Sequence, residues 1–131
     1  MADILLIEDD AELRLGLRLN LERFGHRVAE AAGGRDALEF FCAKGAEVVV
    51  TDLFMPDRDG FEIITEMNRK WPYLPIIAMS GGGRLAPGIN LRIAARLGAK
   101  RVLAKPFSVS ELNEAVIALV RGPEPSRLPR S

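Results

Sequence analysis

Five short apolar runs recur along this chain, and each is followed by a longer amphipathic stretch that ends at a breaker. Asp3 to Ile7, Arg27 to Ala31, Glu47 to Asp52, Ile76 to Ser80 and Arg101 to Ala104 read as strands, with Val48-Val49-Val50 the most strand-like run of all. Ala11 to Phe24, Gly34 to Lys44, Gly60 to Trp71, Ile89 to Leu97 and the stretch after Ser108 as far as Arg121 read as helices. Asp10 and Ser108 are placed to accept hydrogen bonds from first-turn amides, while Gly45, Pro72 and Gly98 stop the helices they follow. Strands that alternate with helices are joined by right-handed crossovers and run parallel. Strands covered on both faces lose the alternation of apolar and polar residues, as these have. The expectation is an α/β fold: a doubly wound parallel sheet of five strands with helices on both faces.

At 131 residues the chain fits one domain, expected over residues 1–121, and the proline-rich segment 122–131 reads as a disordered tail. Lys and Arg total 18 and so do Asp and Glu, a balance that offers no electrostatic reason for direct nucleic-acid or membrane binding. No apolar run reaches membrane-spanning length and no basic-then-apolar leader is present, so a soluble, cytoplasmic protein is expected. Cys42 is the only cysteine, which rules out an intrachain disulfide and a cysteine metal cluster; its apolar surroundings suggest a buried structural thiol. His26 stands alone near a turn and is expected to be solvated. With neither a Cys/His nor a Ser/His pair, a conventional enzyme is not expected, and the run from Gly81 to Arg84 lacks the lysine-hydroxyl ending of a nucleotide-binding loop.

The first helix carries an ambiguity. Leu13, Leu15, Leu17, Leu19 and Leu21 alternate as in a strand, but the length, the Asp10 cap and the stop at Gly25 favour a helix. On a helix, Leu13, Leu17, Leu21 and Phe24 share one face, and Leu15 and Leu19 lie opposite with no core to enter. That second stripe is a candidate docking surface.

The polar residues that carry chemistry stand at strand C-termini. Glu8, Asp9 and Asp10 follow the first strand, Asp52 ends the third, Ser80 the fourth, and Lys105 follows the fifth. Doubly wound sheets bind ligands beyond those ends. Gathered there, the carboxylates would raise one another's pKa unless a cation neutralised them, and a hard Mg²⁺ suits such oxygen donors. Lys105 and the metal could then stabilise charge on a phosphoryl group passing to a carboxylate nucleophile, with Ser80 hydrogen-bonding a phosphate oxygen afterwards.

The strings ILLIEDD, VVVTDLFMPDRDG, PIIAMSG and VLAKPF resemble, in order, the receiver domain of response regulators in two-component signalling; the likeness spans residues 3 to about 121. The resemblance implies a CheY-like (flavodoxin-like) fold with strand order 2-1-3-4-5. It implies that Glu8 and Asp9 position Mg²⁺, that Asp52 is phosphorylated, and that the backbone carbonyl of Phe54 completes the metal site. Ser80 matches the switch hydroxyl, Lys105 the phosphate-binding lysine, and a cis peptide is implied before Pro106. The expected partners are a sensor histidine kinase or histidine phosphotransfer protein, contacted through the first helix, and an unidentified downstream protein, the chain itself being a monomer or weak dimer.

Three departures bear on function. Val102 stands where the family commonly has an aromatic switch residue. The spacing from Ser80 to Lys105 is 25 positions, longer than usual, with the excess in Gly81 to Gly88, expected to be mobile. Lys100 and Arg101 replace the acidic pair of receivers that dimerise on DNA. The leading expectation is therefore a stand-alone phosphoacceptor. The alternatives are an interaction module that does not need phosphate, and the receiver of a longer DNA-binding regulator.

Overall fold

The computed structural model describes residues 2–53, 60–80 and 87–121, with side chains described over 2–53, 60–80 and 92–120. Strands β1 (Asp3–Ile7), β2 (Arg27–Ala31), β3 (Val48–Asp52), β4 (Ile76–Ser80) and β5 (Arg101–Ala104) alternate with helices α1 (Ala11–Arg23), α2 (Gly34–Lys44), α3 (Gly60–Lys70), α4 (Pro87–Leu97) and α5 (Val109–Arg121). The sheet order is β2-β1-β3-β4-β5 and every neighbouring pair is parallel, so the expected doubly wound topology is the one observed. Phe54, Gly81 to Ala86 and the 122–131 segment lie outside the described residues. Helix α4 begins at Pro87, two positions ahead of the boundary expected at Ile89, as suits a proline in a first turn.

The central strands β1, β3 and β4 are largely apolar because the sheet separates two cores, whereas the edge strands β2 and β5 carry Arg27, Glu30 and Arg101. Leu5, Ile7, Val49, Ile76 and Ala78 face one layer, with Ile63, Ile64 and Met67 of α3 and Ala94 of α4. Ile4, Leu6, Val48, Val50, Ile77 and Met79 face the other, against Leu17 and Leu21 of α1 and Leu112, Ala115 and Val116 of α5. Alternate residues of one strand thus enter opposite cores, each fully buried side chain contributing roughly 1.5–3 kcal/mol.

The caps form as expected. The Asp10 carboxylate accepts from the amides of Glu12 and Leu13 at 3.0 and 3.2 Å. Ser108 and Glu111 exchange hydrogen bonds, each 3.1 Å, in a capping box at the start of α5.

Three expectations are corrected. Cys42 is exposed: α2 turns Gly34, Ala37, Leu38 and Phe41 toward the sheet, and position 42 falls just past the edge of that stripe. His26 is buried at 5 % exposure, because its Nδ1 accepts the Ala2 amide at 3.0 Å and its Nε2 lies 2.6 Å from Asn113 Oδ1 on α5. Phe24 is 48 % exposed, because α1 ends at Arg23 and the cap residue leaves the face that buries Leu17 and Leu21. The Leu15 and Leu19 stripe is exposed, at 45 % and 46 %, as its helical position requires.

Gly60 joins the fold to the site. Its amide donates to the Leu53 carbonyl at 2.9 Å, so the N-terminus of α3 sits directly on the chain leaving β3. A Cβ here would collide with the Asp52 carbonyl oxygen and lie 2.7 Å from Leu53 Cα, backbone atoms that cannot step aside. Gly60→Ala is therefore expected to destabilise the protein by about 1–3 kcal/mol, read as a lower urea midpoint with an unchanged slope.

Candidate functional site

Parallel pairing decides which residues meet. The register sets Ile7 opposite Thr51, Asp52 opposite Met79 and Ser80 opposite Ala104, so the ends of β1, β3, β4 and β5 open on one edge of the sheet. Glu8 continues β1, its amide donating to the Ala31 carbonyl of β2 at 3.0 Å. Its carboxylate is buried and accepts the Asp10 amide at 3.2 Å. Asp10 itself is occupied as the cap of α1, which leaves Asp9 to face the site.

Glu8, Asp9 and Asp52 each bring a carboxylate oxygen into a group whose members all lie within 4.8 Å of one another. Lys105 reaches in from the end of β5. Its Nζ is 3.0 Å from Asp52 Oδ1 and 3.3 Å from Glu8 Oε1. Its amide donates to the Ser80 carbonyl at 2.7 Å, and the peptide to Pro106 is cis, as the resemblance implied. Ser80 is buried, and its Oγ has no hydrogen-bond partner among the described residues. Five of the six residues singled out from sequence thus converge; Phe54, the sixth, falls outside the described residues. Val102 is half-buried on β5 and packs beside the α3–α4 core layer.

Among the described residues, carboxylates outnumber cations at the site. Burial raises the Glu8 pKa above its ordinary 4.5, and the charge of Asp52 adds to this; the Asp10 amide and Lys105 only partly offset them. For Lys105, burial works against the ammonium. The hydrogen bond and charge of Asp52, followed by those of Glu8, outweigh it and raise the pKa above 10.5. Among the described residues one ammonium thus faces three carboxylates. Clustered, partly desolvated oxygen donors of this kind fit a small hard divalent cation, in which Glu8, Asp9 and Asp52 would be the protein ligands.

The sign for stability follows from the raised Glu8 value. Its contribution is fully present below pH 4.5 and is lost as pH rises through the higher folded value. In EDTA, Glu8→Gln is therefore expected to match wild type near pH 4 and to exceed it in Tm increasingly toward pH 7, with Mg²⁺ removing the difference by stabilising wild type. A thermal series across pH, with and without Mg²⁺, measures it.

Two contributors give little sign of themselves in the sequence. Gly60 looks like any helix-start glycine. Arg14, in the first turn of α1, donates from Nη1 to the Glu8 carbonyl at 2.7 Å. The only signal for it is a cation at the positive end of a helix dipole.

Residues 4–117 match the family described as the response regulator receiver domain. The chain is 35 % identical over 121 residues to the transcriptional regulatory protein AfsQ1 of Streptomyces coelicolor, covering 92 % of this chain and 52 % of that protein. It is 38 % identical over 117 residues to the sensor kinase CckA of Brucella abortus, covering 88 % of this chain and 12 % of the kinase. The chain thus spans about half, or less, of the curated relatives it matches. Among solved structures, a response regulator receiver domain protein from Clostridium thermocellum superposes with a TM-score of 0.85 at 28 % identity, over 92 % of this chain and 95 % of that one.

Proposed function

Because the chain belongs to the response regulator receiver domain family, we propose that it is a signalling phosphoacceptor in which Asp52 takes a phosphoryl group from a phosphohistidine, with Mg²⁺ at the acidic site. The observation that carries this reading is the Asp52 carboxylate at the end of β3, hydrogen-bonded at 3.0 Å by Lys105 and grouped with Glu8 and Asp9. A carboxylate oxygen of Asp52 attacks phosphorus, the P–N bond of the donor imidazole breaks, and the imidazole leaves with its electron pair. Lys105 keeps its proton and turns its ammonium to the phosphoryl oxygens as their charge grows. Bound Mg²⁺ supplies neutralisation of the carboxylates and of the incoming phosphoryl group.

The Ser80 hydroxyl supports the reading from the other side. A buried hydroxyl without a partner is a stability cost of about 1–3 kcal/mol, which a phosphoryl oxygen on Asp52 would remove. Phosphorylation would then draw the end of β4 toward Asp52, biasing a two-state surface. The aromatic partner of that motion is absent, since Val102 stands at its position. A sensor histidine kinase or phosphotransfer protein is the expected donor. No helix among the described residues is long and apolar enough to cross a membrane, which suits a cytoplasmic donor and target.

The test is incubation of the wild-type chain with Mg²⁺ and a small acyl phosphate, followed by peptide mapping. One hydroxylamine-labile phosphoryl group on the peptide containing Asp52, lost when EDTA replaces Mg²⁺, is the expected result. Label on Glu8 or Asp9, or none, overturns the assignment. A second reading is that the domain serves as the receiver of a longer regulator; it is favoured by the chain spanning only 52 % of AfsQ1. The mass of the native polypeptide decides it.

A further inference from the structure

Arg14 sits where helix electrostatics disfavour it. It lies in the first turn of α1, where the dipole opposes a positive charge by about 0.3–1 kcal/mol. Its guanidinium nevertheless folds back past the helix start, and both of its ends are engaged. Nη1 donates to the Glu8 carbonyl at 2.7 Å, and Nε donates to Glu30 Oε1 on β2 at 2.9 Å. The other oxygen of Glu30 accepts from Arg18 Nη1 at 2.6 Å, so two arginines hold the Glu30 carboxylate in place. The Arg14 side chain is 19 % exposed and that of Glu30 25 %, so both are largely shielded from water.

The carbonyl that Arg14 takes belongs to the turn bearing the acidic group. The ladder of β1 ends at Ile7, and the Glu8 amide goes to Ala31, whereas the Glu8 carbonyl has left the strand and α1 has not yet begun. The peptide from Glu8 to Asp9 therefore links strand and helix outside both hydrogen-bond ladders, and the carboxylates on either side of it belong to the group within 4.8 Å. Mutual repulsion favours rotating that peptide so that Asp9 swings away from Asp52. A charge-assisted hydrogen bond on its carbonyl opposes the rotation.

We propose that Arg14, braced by Glu30, is a positioning residue for the metal ligands: it holds the Glu8–Asp9 peptide so that both carboxylates stay aimed at one cation. The proposal rests on the metal-site reading above. In this role Arg14 would touch neither the metal nor the phosphoryl group, its side chain being engaged by Glu8 and Glu30. It acts through the backbone of the residues that do, as groups outside a metal's own ligands commonly do.

The test compares Mg²⁺ binding by calorimetry in wild type, Arg14→Gln and Glu30→Gln, and then the rate of Asp52 phosphorylation by a small acyl phosphate at low and at saturating Mg²⁺. Arg14→Gln is expected to raise the Mg²⁺ Kd on the order of 10-fold, with a smaller rise for Glu30→Gln. The phosphorylation rate should return close to wild type once Mg²⁺ saturates. A role confined to bracing the fold predicts the opposite split: a lower Tm in EDTA with the Mg²⁺ Kd within about twofold of wild type, and that result overturns the proposal. Equal loss of rate at low and saturating Mg²⁺ overturns it as well. Should Arg14→Gln fail to fold, Glu30→Gln carries the same comparison, since it frees the guanidinium without removing it. A wild-type chain that binds no Mg²⁺ sinks the metal reading and this proposal together. Binding by wild type and Arg14→Gln with equal affinity sinks the positioning role alone.

Discussion

Asp52→Asn protein incubated with Mg²⁺ and a small acyl phosphate should remain unmodified, its intact mass unchanged over the time in which wild type gains a phosphoryl group. The substitution keeps the size of the side chain and its place at the end of β3, where residue 52 is only 6 % exposed. What it removes is the proposed nucleophile, since an amide does not attack phosphorus. The expected fall in rate is on the order of 10⁴-fold or more, as for loss of a nucleophile elsewhere. The same change takes away one of the charges that raise the Glu8 pKa, so the variant in EDTA should be at least as heat-stable as wild type at neutral pH. Those two readouts together exclude misfolding. A variant that melts lower and is also unmodified would leave a structural explanation standing, whereas a stable variant that still takes up phosphate would place the acceptor elsewhere.

Lys105→Met should lower the rate of Asp52 phosphorylation on the order of 10²–10³-fold at saturating Mg²⁺, the range for removing one preorganised donor from a developing anion. Methionine preserves the unbranched apolar stem and removes only the ammonium. In wild type that ammonium makes the 3.0 and 3.3 Å contacts to Asp52 and Glu8. Without it the three carboxylates lose the one cation that the described residues place among them, so Tm in EDTA should fall at neutral pH. It should recover as pH drops and Glu8 takes up a proton at its raised pKa. Added Mg²⁺ should restore Tm and leave the slow phosphorylation in place. A Lys105→Met protein that is phosphorylated at the wild-type rate would remove Lys105 from the chemistry and leave it a structural counter-ion.

The strand ends show why so much of the site was legible in the sequence. Each of Glu8, Asp52 and Ser80 follows a run of at least three consecutive apolar residues, interrupted only by Thr51 before Asp52, so the charged or hydroxyl residue and the end of the strand announce each other. Once strands alternate with helices the crossovers run one way and the strands are parallel, which sends every such end to one edge. The helix boundaries were legible for a related reason. Asp10, Gly45 and Ser108 act through their own neighbours, as with the Asp10 carboxylate on the amides of Glu12 and Leu13, and local chemistry is written in local order.

His26, Cys42 and Phe24 show where this stops. The burial of His26 depends on Asn113, 87 residues further on, and no turn-like neighbourhood carries that information. Cys42 and Phe24 depend on the rotation and the end of a helix, where a shift of one residue turns a side chain by about 100°. Composition does not set an angle.

The amino-acid order by itself determined the class of fold, the strand that ends at Asp52 and the carboxylate, hydroxyl and ammonium available to it, because periodicity and capping are local. Only the tertiary structure decided that Lys105 Nζ stands 3.0 Å from Asp52, that Gly60 has no room for a Cβ, and that Arg14 reaches back to the Glu8 carbonyl. Those are contacts between elements, and their geometry exists only after two cores have packed against the sheet. Asp52 is thus a carboxylate that its own strand announces, and the folded chain brings Glu8, Asp9 and Lys105 to it.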